Sequence, residues 1–296
     1  MADLAAPPVP GRRSRTSGGL PEPALTRDVV PVRHYGRGAF AVAVLGFVGL
    51  IVYGFATNPN IEWSVVRDFI FSTDILRGLL STLEMTLISM VFAVAGAVVI
   101  ALMRMSKSRI ISSVAAGYVF VFRGIPLILL VIFVGNIGLF LREISVGIPG
   151  TPTTFFTIPV AEAITPFVAS VIALSLAGSG YMSEIVRGGL HAIGRGQHEA
   201  AKALGVTSLQ TTRHIVLPQA LRIIVPPMGN ELISMLKSTA IVSVIAGGDL
   251  LTVAQSISGA NYRTIEMLIV AAVWYFAVLA VISVGQYFLE KRFAER

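Results

Sequence analysis

Few residues of this chain could do chemistry, and most of them stand where polar groups are costly. Asn230, Ser234 and Lys237 recur at spacings of four and three, one polar stripe on a helix, with Glu231 and Ser238 on the adjacent face. The sequence around them is apolar. Ionisable groups inside an apolar span mark a solute or proton path by default, so Asn230, Glu231, Ser234 and Lys237 are candidate pathway residues. The plainer reading stays open, that Glu231 and Lys237 pair with neighbouring helices as packing. Glu84, in Ser81-Thr82-Leu83-Glu84-Met85-Thr86, is a second candidate; Thr82 and Thr86 share a face from which it points away. Bond-making is not expected of this chain. Its Lys-Ser pairs, Lys107-Ser108 and Lys237-Ser238, follow Ser106 and Leu236, so there is no phosphate-binding Gly-Lys-Ser loop. Neither a His-Glu-x-x-His helix nor a Gly-x-Ser-x-Gly elbow occurs. Cysteine is absent, and His191, His198 and His214 are spaced too widely for a compact zinc site. No catalytic residue, metal or bound cofactor is expected.

The elements that must position these residues are membrane helices. Hydrophobic residues make up 54% and charged ones 13%, about half the share of a soluble domain. Uncharged stretches recur at Ala39–Ala56, Met85–Met103, Gly124–Leu141, Ala163–Ser183 and Met267–Leu289. Each meets the ~20 residues that cross the hydrocarbon as a helix, and none has the alternation of a barrel strand. A sixth span, about 223 to 248, contains Pro226-Pro227, which is expected to break it. Small residues at Ser89, Ala93, Ala97 and Ala101, and at Ala169, Ala173 and Ala177, form ridges for close packing within the chain. Pro126, after Phe122-Arg123-Gly124-Ile125, predicts a bend near Ile125 that leaves Arg123 at a helix end.

The net charge of +7 is accounted for by topology, without nucleic acid. With the N-terminus inside and six spans, 17 of 23 basic residues fall on one side, among them those of the N-terminal tail and of the polar loop 188–217. Residues 1–38 are rich in Pro, Gly, Ser and Arg and read as a disordered basic cytoplasmic tail. No small-residue cleavage pattern follows the first apolar run, so 39–56 reads as an uncleaved anchor helix. The expected organisation is this tail, the anchor, a transmembrane domain over 74–290, and a short tail at 291–296.

The polar loop carries its own signal. Glu199-Ala200-Ala201, Gly205, Ile215 and Leu217-Pro218 have a spacing that spanning a bilayer does not require. Gly205 suits a helix stop and Pro218 a helix start. This pattern resembles the cytoplasmic EAA loop of permease subunits of ATP-binding-cassette (ABC) importers. Phe122-Arg123-Gly124-Ile125-Pro126 is similar to the Phe-Arg-Gly-Thr-Pro element of that family's polar amino acid branch, with isoleucine in place of threonine. Gly180-Tyr181-Met182-Ser183-Glu184-Ile185-Val186-Arg187-Gly188 resembles its Ala-Tyr-x-x-Glu-x-x-Arg-Gly element, with glycine for alanine. Asn230-Glu231 with Leu236 to Ile245 resembles the same branch. Glu184 and Arg187, three apart, can pair on a helix.

The resemblance covers roughly Asp74 to Glu290. It implies an all-α polytopic membrane protein with a five-helix type I importer core, so the first helix is an addition, and with both termini cytoplasmic. It implies that Glu199, Ala200, Ala201, Gly205, Ile215, Leu217 and Pro218 couple the chain to an ATPase, while Arg123, Gly124, Pro126, Glu184, Arg187, Pro226 and Pro227 shape the core. The implied partners are two ATP-binding subunits that hold ATP and magnesium, a second identical or homologous permease, and a solute-binding protein, in a bacterial inner membrane. The alternative is an ion-coupled secondary transporter using Glu231 or Glu84. It lacks an evident inverted repeat and leaves the loop unexplained.

Overall fold

The computed structural model of the protein describes residues 35–147 and 154–294. It divides into two units, Met1–Asn58 and Pro59–Arg296. In the first, α1 (Tyr35–Ala56) is apolar on all sides and exposed from Gly36 onward, the composition of a helix surrounded by lipid. It starts at Tyr35, so positions 35–38, expected in the tail, are helical. The remainder of the expected disordered tail, 1–34, lies outside the described residues.

Among its described residues the second unit is helical apart from one hairpin. A short amphipathic helix α2 (Trp63–Ile70) precedes α3 (Thr73–Arg104), whose 32 residues make it about 48 Å long. Ser72 caps α3 by accepting from the Ile75 amide, and Asp74 and Arg104 suit the charges of its two ends. Next come α4 (Arg109–Gly124), α5 (Leu127–Gly135) and a 3-10 turn at Ile137–Leu139. A hairpin of β1 (Glu143–Gly147) and β2 (Thr154–Pro159) follows, with Ile144 opposite Ile158 and Ser145 opposite Thr157. The chain continues through α6 (Val160–Ala163), α7 (Pro166–His191), α8 (Arg195–Ala203) and α9 (Ser208–Gln210). After a π-helical turn at Thr211–Val216 it enters α10 (Leu217–Ser238), a 3-10 stretch Thr239–Ile245, α11 (Leu250–Asn261) and α12 (Thr264–Ala294). Because α12 runs to Ala294, most of the expected 291–296 tail is helix. Among the described residues, α1, α3, α7 and α12 are long and apolar enough to cross a membrane, and there are up to six spans if each of two bent pairs counts as one.

The bends decide the site. The bend expected near Ile125 is present: α4 and α5 meet at 101° across Ile125-Pro126, and the expected third span, Gly124–Leu141, holds α5 only to Gly135, followed by the 3-10 turn. Ile125 takes the extended conformation that a following proline imposes. The break expected at Pro226-Pro227 does not occur, for α10 continues through both prolines. Only two ladder bonds are lost there, and α10 is held between α3, α7 and α12, which keep its backbone helical. The chain breaks later, at Ala246–Asp249, with a bend of 42°. Ala246 and Gly248 both have positive φ, and the buried Asp249 caps α11 by accepting from the amides of Leu251 and Thr252.

The core centres on α3 against α7. Ser89, Ala93, Ala97, Ala101, Ala169 and Ala173 are all fully buried, and a Cβ on Gly178 would lie 3.1 Å from the Ala93 Cβ. Apart from Ala177, which is half-buried and lines a cavity, the small-residue ridges serve packing within the chain, where close backbone approach gains dispersion contacts.

Candidate functional site

The 101° bend leaves space beside it. Between the end of α4, the start of α5, α7 and α10 lies a cavity of about 380 Å³. Its polar groups are Glu231, Ser234 and Ser238, spaced three and four along α10, with Tyr181 on α7; Phe122, Ile125 and Ile241 are among its apolar walls. Glu231 is half-buried and has no hydrogen bond or ion pair among the described residues. The charge that acts on it is Arg123, whose guanidinium lies 5.1 Å from the centre of the Tyr181 ring. The Tyr181 hydroxyl donates to the Arg123 carbonyl at 3.3 Å, which ties the bend to α7. Such a cavity, with a carboxylate that has no hydrogen-bond partner among the described residues and a few hydroxyls in an apolar wall, suits a small polar solute with a cationic group.

The sequence candidates divide around this cavity. Glu231 and Ser234 line it. Asn230 faces α12, where its side-chain oxygen accepts from Gln286 at 2.7 Å. Lys237 is exposed and Glu84 is exposed on α3, and neither is among the lining residues. Thr82 and Thr86 are buried on the other side of α3, where the Thr82 hydroxyl accepts from the Leu250 amide at 2.9 Å. The stripe on α10 is thus turned by about one position from the sequence reading, because α12 claims the Asn230 side. Sequence pattern alone does not mark Tyr181, although it sits in the Gly180–Gly188 motif. Its signal was an aromatic hydroxyl one helical turn from Glu184.

Glu184 and Arg187 pair as the spacing predicts, with the Arg187 Nε and Nη2 donating to Glu184 Oε2 at 3.0 and 2.6 Å. A third member was not foreseen. Arg104, at the end of α3, approaches Glu184 Oε1 at 3.6 Å and joins α3 to α7 at this level. Gly180 replaces the usual alanine beside Arg123. A Cβ there would come 3.3 Å from the Arg123 Cγ, a tight contact. Gly124 ends α4 with open space around it, and Pro126 follows the bend.

The polar loop 188–217 is ordered by its own chemistry. α7 extends to His191, and α8 ends in a Schellman motif. The Gly205 amide donates to the Lys202 carbonyl and the Val206 amide to the Ala201 carbonyl, both at 3.0 Å. Gly205 has φ +73°, so the glycine is required by the backbone. Ala201 is buried, whereas Glu199 and Ala200 are exposed. Ile215 is half-buried in the π turn, Leu217 is partly exposed, and Pro218 is the second residue of α10. The π turn carries the chain into Pro218, which has no amide to offer. Leu204 and Leu209, 82% and 78% exposed, are apolar residues on this otherwise polar surface that the sequence reading did not single out.

A multi-pass helical membrane protein with a polar cavity among its spans and an ordered loop bearing exposed leucines is the class that these features define. Residues 93–295 match the family described as binding-protein-dependent transport system inner membrane component. The chain belongs to that family and is a permease subunit of an ABC transport system. It is 37% identical over 268 residues to the arginine transport system permease protein ArgU of Corynebacterium glutamicum, covering 90% of this chain and 83% of the relative. A match of that extent must reach into the unit before Pro59. The arginine transport system permease protein ArtQ of Bacillus subtilis is 35% identical over 71% of this chain and 87% of its own. A crystal structure of an amino acid ABC transporter with histidines superposes with TM-score 0.63 at 35% identity, covering 74% of this chain and 94% of that one. The MetNI methionine ABC transporter, at 20% identity and TM-score 0.56, shares the fold.

Proposed function

We propose that the chain forms one half of the translocation pathway of an importer for a polar amino acid, with the α10 cavity as its solute-facing wall. The half-buried Glu231, unpaired and facing that cavity, carries the reading. A carboxylate in an apolar wall is stabilised by a cationic partner, and the ammonium or side-chain cation of an amino acid supplies one. The arginine permeases among its relatives support a cationic solute. Arg123, against the ring of Tyr181 beside the cavity, offers a partner for the solute carboxylate. Substrate-pathway roles for Asn230, Lys237 and Glu84 rest on sequence alone.

In this reading the chain has six spans with both termini inside a bacterial inner membrane. Loop 188–217 then lies in the cytoplasm and docks on a separate ATPase, which holds ATP and magnesium. Exposed Glu199 and Leu204, set by the Gly205 stop, support that surface. Two ATP-binding subunits, a second permease and a solute-binding protein complete the assembly. ATP binding would rock the two permease halves and reverse access to the cavity. An ion-coupled carrier is disfavoured because the chain belongs to a binding-protein-dependent family. The test is reconstitution with its ATPase and binding protein, scoring a panel of amino acids for stimulated ATP hydrolysis. Stimulation by arginine or another polar amino acid is expected; no stimulation by any of them, or ATP-independent uptake by the chain alone, sinks the reading.

A further inference from the structure

One wall of the α10 cavity is not held by its own backbone. Ser238 and Ile241 line the cavity from the junction where α10 passes into the 3-10 stretch Thr239–Ile245. Seven residues are long for a 3-10 helix, whose hydrogen bonds are poorly aligned, so such a run needs support from outside. That support begins at Thr239, which stands between the two lining residues and is fully buried. Its hydroxyl donates to the Leu236 carbonyl at 2.7 Å and lies 3.3 Å from the hydroxyl of Tyr275, on α12. Tyr275 in turn donates to Asp249 Oδ2 at 3.3 Å.

Asp249 is fixed more firmly than a helix cap requires. It is fully buried and forms no ion pair among the described residues. The amides of Leu251 and Thr252 and the Thr252 hydroxyl satisfy it from α11 itself. Its neighbour Leu250 donates an amide to the Thr82 hydroxyl of α3 at 2.9 Å, which pins the start of α11 to α3. Asp249 is thereby a fixed point from which Tyr275 reaches Thr239. Buried polar groups are costly unless bonded, so this chain of contacts favours one arrangement of α12 against the end of α10. We infer that Tyr275 is a positioning residue for solute recognition. Anchored on Asp249, its hydroxyl sets the turn of the 3-10 stretch and so the places of Ser238 and Ile241 in the cavity. Ser238 donates to the Ser234 carbonyl at 2.9 Å, which leaves the lone pairs of its oxygen to accept from an ammonium or guanidinium group. Tyr275 is not among the lining residues and acts through these two. The inference rests on the reading of that cavity as the solute-facing one.

The test is binding of arginine, or of the panel amino acid that stimulates ATP hydrolysis most, to the full-length chain in nanodiscs. Tyr275→Phe keeps the ring and removes one hydroxyl. Binding should weaken about three- to tenfold, the order of one neutral hydrogen bond. Thr239→Val should weaken it by a like factor, and Thr239→Ser, which keeps the hydroxyl, should retain it. Tyr275→Phe/Thr239→Val should lose no more than one of the single changes, because both remove the same contact. Tyr287→Phe, at an exposed tyrosine further along α12, should bind as the unaltered chain does. Undiminished binding by Tyr275→Phe while Glu231→Gln weakens it overturns the inference and leaves the cavity reading intact. If Glu231→Gln leaves binding unchanged as well, the cavity reading falls and the inference with it. An equal loss from Tyr287→Phe, or independent losses from Tyr275→Phe and Thr239→Val, would show a general effect on the fold and overturn the positioning role.

Discussion

Single residues in this protein act through a few atoms each. Glu231 contributes a carboxylate without a hydrogen bond or ion pair among the described residues, and its neighbours Ser234 and Ser238 line the same cavity. Glu231→Gln keeps the shape and removes the charge. On the proposed pathway role, uptake and solute affinity should fall about tenfold or more, the order of one lost charge-assisted contact, while basal ATP hydrolysis by the assembled importer is unchanged. Uptake unaffected by Glu231→Gln but abolished by Glu84→Gln would move the path to α3. Gly205 acts through its backbone alone. At φ +73° an alanine Cβ meets the following carbonyl, so Gly205→Ala should cost about 1 kcal/mol and fray the end of α8. Faster hydrogen exchange over 195–206, with the helices of the core unchanged, is the expected signature. Gly205 was legible in the sequence because a positive φ leaves almost no other residue to choose. Glu231 was legible only as one of a set, since spacing places residues on a helix but does not say which face a neighbour occupies.

The elements show where sequence reading succeeds and where packing overrules it. Pro126 predicted the α4–α5 bend correctly, because a proline disfavours helix at the residue before it and Ile125 is extended. Pro226-Pro227 predicted a break that α3, α7 and α12 suppress, and the actual break at Ala246–Asp249 carried the weaker signal of Gly247-Gly248. The hairpin Glu143–Pro159 was not foreseen: its strands are five and six residues long and lie between spans. Glycine at the crossing of α7 and α10 was equally silent in the sequence. A Cβ on Gly189 would lie 2.3 Å from the Ile224 Cγ1, close to the backbone of α10 and unable to swing away. Gly189→Ala should therefore destabilise the fold by about 1 to 3 kcal/mol through overpacking. Adding Ile224→Ala opens the space, and the double variant should be more stable than the sum of the two single changes implies. Thermal unfolding in detergent reads both; strict additivity would show that the helices simply separate.

At the scale of the whole molecule, two features lie toward opposite ends of α10. The cavity near Ser238 is shaped by α4, α5 and α7, and the polar loop beyond Pro218 is shaped by its own caps. One stiff helix joins them, since the double proline does not interrupt it. A movement imposed on the loop can therefore reach the cavity wall as a rigid-body displacement, with no hinge in α10 to absorb it.

That arrangement makes the loop testable apart from the solute. Leu204 is 82% exposed one residue before the Gly205 stop, and an isolated chain gains nothing from a leucine held there in water. If an ATPase covers it, burying the side chain contributes roughly 1.5 to 3 kcal/mol, a factor of about ten to a hundred in affinity. Leu204→Asp should then reduce co-purification of the ATPase by that order, and Glu199→Ala should add a smaller loss. Helix insertion should be normal, because neither residue belongs to the core. Solute binding to the cavity, measured on the chain in nanodiscs, should also be unchanged. An importer carrying Leu204→Asp that keeps its ATPase and drives uptake at the ordinary rate would show that docking uses another surface, with Leu209 and the exposed side of the π turn next to be tried.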